Sequence, residues 1–97
     1  MLSLNDIAVL LAADMNPGVP RSDLAYLSHI VASSNRPFIE NQTVWLATID
    51  GLVSLGYLKR SRNLYIDLTK QGRAEFSQEM ASKKALFLTL ASRSFSP

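Results

Sequence analysis

Five cations, Lys59, Arg60, Arg62, Lys70 and Arg73, fall between residues 57 and 73 against one acid, Asp67, a local charge of +4. The rest of the chain holds five basic and seven acidic residues, a balance of −2, so the overall +2 comes from this one segment. Ammonium and guanidinium groups at such density suit contacts with phosphate oxygens, Lys as a point charge and Arg through its bidentate fork. Segregated positive charge on an otherwise slightly acidic protein points to a polyanion. The plainer reading is a solvated turn, because charged side chains also protect exposed strand edges from pairing with other chains.

Other chemistries find few candidates. The chain has no Cys and a single histidine, His29, which leaves no thiolate or histidine cluster for zinc. There is no Gly-rich phosphate loop, no nucleophile at suggestive spacing from a base, and the eight acids stand singly. These inventories argue against an enzyme and call for no cofactor. His29, alone on a helix, reads as a partly exposed polar residue, and Trp45 as core. Tyr65 reads as an outward ring that packs on Lys59 or a neighbouring helix, or stacks on a partner.

The elements that must position these residues are few. Of 97 residues 47% are apolar, with 4 Gly and 4 Pro, enough for one compact core and too few for two ordinary domains, so residues 1–97 are expected to form one. The apolar runs IAVLLAA and ALFLTLA are far shorter than the ~20 residues a membrane span needs, and no basic lead opens the chain, so a soluble, cytoplasmic protein without a membrane partner is expected.

Leu4, Ile7, Ala8, Leu11 and Met15 recur at helical spacing, with Ser3 placed to cap and Asp6 to complete a capping box. NPGVP then ends this first helix. A second follows over RSDLAYLSHIVAS, with Ser22 as N-cap and Leu24, Leu27, Ile30 and Val31 as its stripe. SNRPFIEN reads as a loop. The third helix spans 42–55, with Val44, Trp45, Ile49, Leu52, Val53 and Leu55 apolar and Gly56 as a left-handed cap. Gly51 inside it costs ~1 kcal/mol relative to Ala, which calls for close packing or backbone approach to a partner.

After Gly56 the period becomes two. Leu64, Ile66 and Leu68 alternate with Tyr65 and Asp67 as a half-buried strand, YLKR supplies its partner, and SRN connects them with Asn63 as the residue most tolerant of positive φ. An isolated two-stranded hairpin is marginal, so this one must pack on helices through Leu58, Ile66 and Leu68. Residues 69–92 read as a last helix, capped by Thr69, with Phe76, Met80, Leu86, Phe87 and Leu90 apolar. The fold class is mainly α with a small β-hairpin, in the order helix, helix, helix, hairpin, helix.

A helix ending in LVSLGYLKR, a short hairpin, and YIDLTKQGRAEF entering another helix resemble the winged helix-turn-helix domain of bacterial and archaeal transcription regulators, closest to the PadR and MarR-like groups. In layout the resemblance covers residues 4–76, and its specific motifs lie in residues 49–76. It implies a DNA-binding transcription regulator in which residues 22–33 match the second helix and 42–55 the recognition helix. Lys59, Arg60, Arg62 and Asn63 then lie in or beside the wing. Such proteins usually dimerise through helices outside the wing, and here ALFLTLA is the candidate; its apolar circumference independently suggests a homodimer.

One departure matters. Recognition helices carry several Arg, Lys, Asn or Gln on their outer face to read base edges and phosphates, whereas residues 42–55 offer Gln42, Thr43, Thr48, Asp50 and Ser54 and no Lys or Arg. Gln42 and Thr43 serve either as groove contacts or as a polar first turn, and Arg36 either reaches the backbone or is an ordinary loop charge. Two expectations follow. The chain binds double-stranded DNA through Lys59, Arg60, Arg62, Asn63, Gln42, Thr43, Lys70, Arg73 and Arg36, or it is a winged-helix module for protein contact without specific DNA reading.

Overall fold

A computed structural model of the chain describes residues 2–33 and 35–81. The first helix, α1 (Leu4–Met15), opens on the expected capping box: Asp6 N–H donates to Ser3 Oγ at 3.1 Å and Ser3 N–H to Asp6 Oδ2 at 2.9 Å. Its buried residues are Ile7, Ala8, Val9, Leu10, Ala12 and Ala13, while Leu4 and Met15 are exposed. A single stripe underestimates this helix, because the second and third helices and the sheet cover its middle from several sides and leave its ends in solvent.

The segment after α1 is more than a turn. Gly18 takes φ +70, and Val19–Pro20 form a strand, β1, paired antiparallel to the last strand with Val19 opposite Ile66 and Pro20 opposite Tyr65. Two residues are too few for alternation to be visible, and Pro20, with no N–H to donate, is tolerated because β1 lies at a sheet edge. Helix α2 (Arg21–Val31) starts at once, so its N-cap is Pro20 and Ser22 already lies in the first turn. Leu24 is fully buried, whereas Ile30 is exposed.

Helix α3 (Phe38–Ser54) begins four residues before the expected start. Proline restricts the residue preceding it and leaves the one following free to be helical. Phe38 therefore joins the helix and packs edge-on against Tyr26 and His29, at centroid distances of 5.3 and 5.6 Å. Trp45, Ile49 and Leu52 fill the core, while Val44 and Leu55 stand exposed on the flanks. The helix ends as expected at Gly56, with φ +82. Tyr57 N–H reaches Leu52 O and Gly56 N–H reaches Val53 O, both at 3.0 Å, the paired bonds of a Schellman cap.

The hairpin comprises β2 (Leu58–Arg60) and β3 (Tyr65–Leu68), in register Leu58 with Leu68 and Arg60 with Ile66. With β1 it makes a three-stranded antiparallel sheet in the order β1-β3-β2, where two strands were expected. Leu58 and Ile66 are fully buried and Leu68 partly so, as the alternation requires. Leu64 belongs to the turn, not the strand: its N–H bonds to Ser61 O at 3.0 Å, and Ser61 N–H to Tyr65 O at 2.9 Å. The positive φ falls on Leu64, at +63, and not on Asn63. A branched residue is strained there, so Leu64→Gly should stabilise the domain by about 0.5 to 1 kcal/mol, read as a higher midpoint in urea.

Residues 70–81 are helical, α4, and Thr69 caps them through Gly72 N–H to Thr69 Oγ1 at 2.9 Å. Phe76 and Met80 pack on the core; Leu86, Phe87, Leu90 and the whole ALFLTLA segment lie outside the described residues. The described chain is thus a mainly α domain, three helices followed by a hairpin and a fourth helix, around one core centred on Val9, Leu10, Leu24, Ile49, Leu52, Leu58 and Ile66. His29 is buried in that core, not partly exposed, because its Nδ1 accepts the Trp45 Nε1–H at 3.3 Å. Among the described residues no helix is long and apolar enough to cross a membrane.

Candidate nucleic-acid interface

The hairpin distributes its cations over two faces. Strand alternation puts Leu58 and Arg60 on the side that covers α3 and Lys59 on the opposite side. Arg62 and Asn63 occupy the exposed turn, and Lys70 and Arg73 the first turn of α4. Thr69 ties that turn to the base of the hairpin: its Oγ1–H donates to Gly56 O at 2.6 Å and its N–H to Tyr57 O at 3.1 Å. The base of the hairpin and the basic start of α4 are therefore joined at one corner.

Not all of this charge faces solvent alone. Arg73 Nη1 lies 2.7 Å from Asp14 Oδ1, Arg36 Nη1 3.8 Å from Glu40 Oε2, and Arg60 Nη2 3.5 Å from Asp50 Oδ1. Among the described residues Lys59, Arg62 and Lys70 make no ion pair. Partly exposed pairs of this kind contribute about 0 to 1 kcal/mol each, so they bias where a guanidinium rests without locking it.

Asp50 is the centre of the most organised cluster. Arg21 Nε and Nη2 donate to its Oδ1 and Oδ2 at 2.8 and 2.6 Å, a bidentate fork, while Arg60 approaches from the facing strand. The Arg21 bonds hold the Asp50 carboxyl below its ordinary range, against the opposing effect of desolvation, and the nearby Arg21 and Arg60 charges add to the lowering. The same bonds to Asp50 raise Arg21. These groups line an open groove of about 640 Å³ with Pro20, Ser22, Asn63, Leu64 and Tyr65. Tyr65, half exposed opposite Pro20, forms part of its wall.

Helix α3 contributes little charge. Gln42 and Thr43 lie in its second turn, not its first, and Thr43 lines a different groove, of about 520 Å³, with Asp6, Val44, Ala47, Gly51 and Leu55. The geometry thus separates Thr43 from the groove that holds Arg60 and Asn63. A Cβ on Gly51 would meet no atom within 4 Å, so internal packing does not account for that glycine. Ile39, Val44 and Leu55 are exposed along this helix. Among the described residues no cluster of His, Cys, Asp or Glu is arranged to hold a metal ion.

Sequence reasoning missed Arg21 and the part played by Asp50. They lie 29 residues apart, and nothing in local spacing links the start of one helix to the fourth turn of the next. No family model, no curated protein and no solved structure matches the chain.

Proposed function

We propose that the chain is a winged helix-turn-helix module that binds double-stranded DNA as a small transcription regulator, laying its hairpin on the phosphate backbone. The order α1, β1, α2, α3, β2, β3, α4, with β1 paired to β3, supports the winged layout. The observation that carries the DNA reading is the placement of unpaired charge: among the described residues, the three cations outside ion pairs are Lys59, Arg62 and Lys70, all on the hairpin or the turn that follows it. Asn63 at the tip adds a neutral donor. Because α3 carries no Lys or Arg, binding on this reading is dominated by phosphate contacts and reads sequence weakly. A second copy joins through residues 85–91.

Fluorescence anisotropy with a random duplex across a salt series tests this. The native protein should bind with affinity that falls as salt rises, and Lys59→Ala/Arg62→Ala/Lys70→Ala should reduce the log–log salt slope by about 2 to 3, at ~0.9 for each phosphate left without its cation. No salt-sensitive binding at low ionic strength would end the DNA reading; equal binding by the triple variant would remove only the assignment of these residues.

A second reading, a winged-helix module for protein contact, is favoured by the outer face of α3, where Val44, Ala47, Gly51 and Leu55 border an apolar groove and Ile39 is 79% exposed. A helix free of cations, with an open glycine, suits an apolar partner surface better than a phosphate backbone.

A further inference from the structure

We propose, resting on the DNA reading above, that Asp50 is an internal stand-in for a DNA phosphate: it holds Arg21 and Arg60 in the free protein and yields both to the backbone on binding. Arg21 thereby joins the interface as a contact residue, and Asp50 becomes a brake on affinity.

The geometry is that of a phosphate site already filled. Arg21 offers the parallel N–H fork that a phosphate accepts as readily as a carboxylate. Arg60 reaches the same Oδ1 from the hairpin, so two guanidiniums converge on one negative centre in the lining of an open groove. Ser22, Asn63 and Tyr65 stand around it with further hydrogen-bonding groups. The three charged side chains are 38%, 47% and 44% exposed, for Arg21, Asp50 and Arg60, so an incoming oxygen can reach both arginines. Ion pairs this open are weak enough to exchange. The groove's lining also includes Leu64, held at φ +63, and backbone strain of this kind clusters at functional surfaces.

The charge balance sets the sign. Two cations and one anion give the cluster +1, and once a phosphate takes the arginines Asp50 is left unpaired beside like charge. Native binding is therefore weaker than the arginines alone would make it. Asp50→Asn removes the competitor while keeping size and shape.

The test compares native protein, Asp50→Asn, Asp50→Ser and Asp23→Asn by anisotropy with a random duplex, after circular dichroism shows matching folds. Asp23 lies exposed in the same turn of α2 as Arg21, so its variant makes the same change in charge without freeing an arginine. Both arginines already lie on the backbone in the native complex, so the salt slope stays as it is, and both Asp50 variants should raise affinity at fixed low salt by about 2-fold to about 30-fold over native, the range that two ion pairs this exposed withhold. Asp23→Asn should not. Arg60→Ala should cost little affinity in the native background and several-fold more in Asp50→Asn, a coupling that a double-mutant cycle isolates.

Asp50 variants that bind like native or more weakly, while native binding remains salt-sensitive, would overturn the brake and leave the DNA reading standing. Equal gains from Asp23→Asn and Asp50→Asn would also overturn it, since net charge would then suffice. Absence of salt-sensitive binding by native protein and all variants would instead remove the DNA reading, and the brake with it.

Discussion

Gly72→Ala lowers the stability of the domain by about 3 kcal/mol, at the upper end of what overpacking does. The sign is the informative part, because Gly to Ala inside a helix ordinarily stabilises by about 1 kcal/mol. Gly72 is buried in the first turn of α4, and a Cβ there would sit 2.8 Å from the Tyr57 carbonyl carbon and 2.9 Å from its Cα, with the carbonyl oxygen closer still. Neither side can give way cheaply. Tyr57 O accepts Thr69 N–H, and Tyr57 N–H is held by Leu52 O in the cap of α3. Gly72 N–H is itself bonded to Thr69 Oγ1, whose O–H bonds to Gly56 O. A methyl group must therefore break the α3 cap or the α4 cap. Urea denaturation reads the effect directly, and a variant as stable as native would mean that α4 does not seat against Tyr57.

That corner shows why some of the fold is legible in one sequence. Gly56, Thr69 and the alternation of Ile66 and Leu68 are local signals, each with a backbone requirement within a few residues, and each appears where expected. Gly72 lies within YIDLTKQGRAEF, but its reason, the approach of Tyr57, is a contact across fifteen residues and has no local signature. The same division explains β1. Val19 and Pro20 become a strand only because Ile66 and Tyr65 are alongside; nothing in NPGVP distinguishes that from a turn.

The candidate interface divides in a similar way. Charge segregation in residues 57–73 is a property of composition and can be read directly. Which charges remain available is a tertiary fact: Asp14, Glu40 and Asp50 each engage an arginine, and only Arg36 with Glu40 is an i, i+4 pair of the kind helix periodicity reveals. The strained position was misplaced for a related reason. Asn63 tolerates positive φ best, yet the register of Arg60 with Ile66, continued by Ser61 N–H to Tyr65 O, leaves Arg62, Asn63 and Leu64 to close the turn, and the left-handed residue is the last of them, Leu64. Register, not residue preference, decided it.

Trp45→Ala is the other large loss, about 4 kcal/mol, a large share of the roughly 5 to 15 kcal/mol that holds a domain of this kind together. Trp45 is 3% exposed and sits between α2 and α3, with its ring edge-on to His29 at a centroid distance of 6.4 Å. His29 in turn meets Phe38, and Phe38 meets Tyr26, so four rings set the angle between the two helices. The indole N–H to His29 Nδ1 bond makes the histidine an acceptor, with its proton on the other nitrogen, and leaves no buried side-chain polar atom unpaired among the described residues. Trp45→Phe separates these contributions. It keeps a ring but orphans Nδ1, for a loss of about 1 to 2 kcal/mol. If Trp45→Phe costs as much as Trp45→Ala, the hydrogen bond and not ring volume fixes the junction. The consequence reaches the groove: Arg21 is carried by α2, Asp50 by α3, and their fork survives only while this aromatic junction keeps the two helices in place.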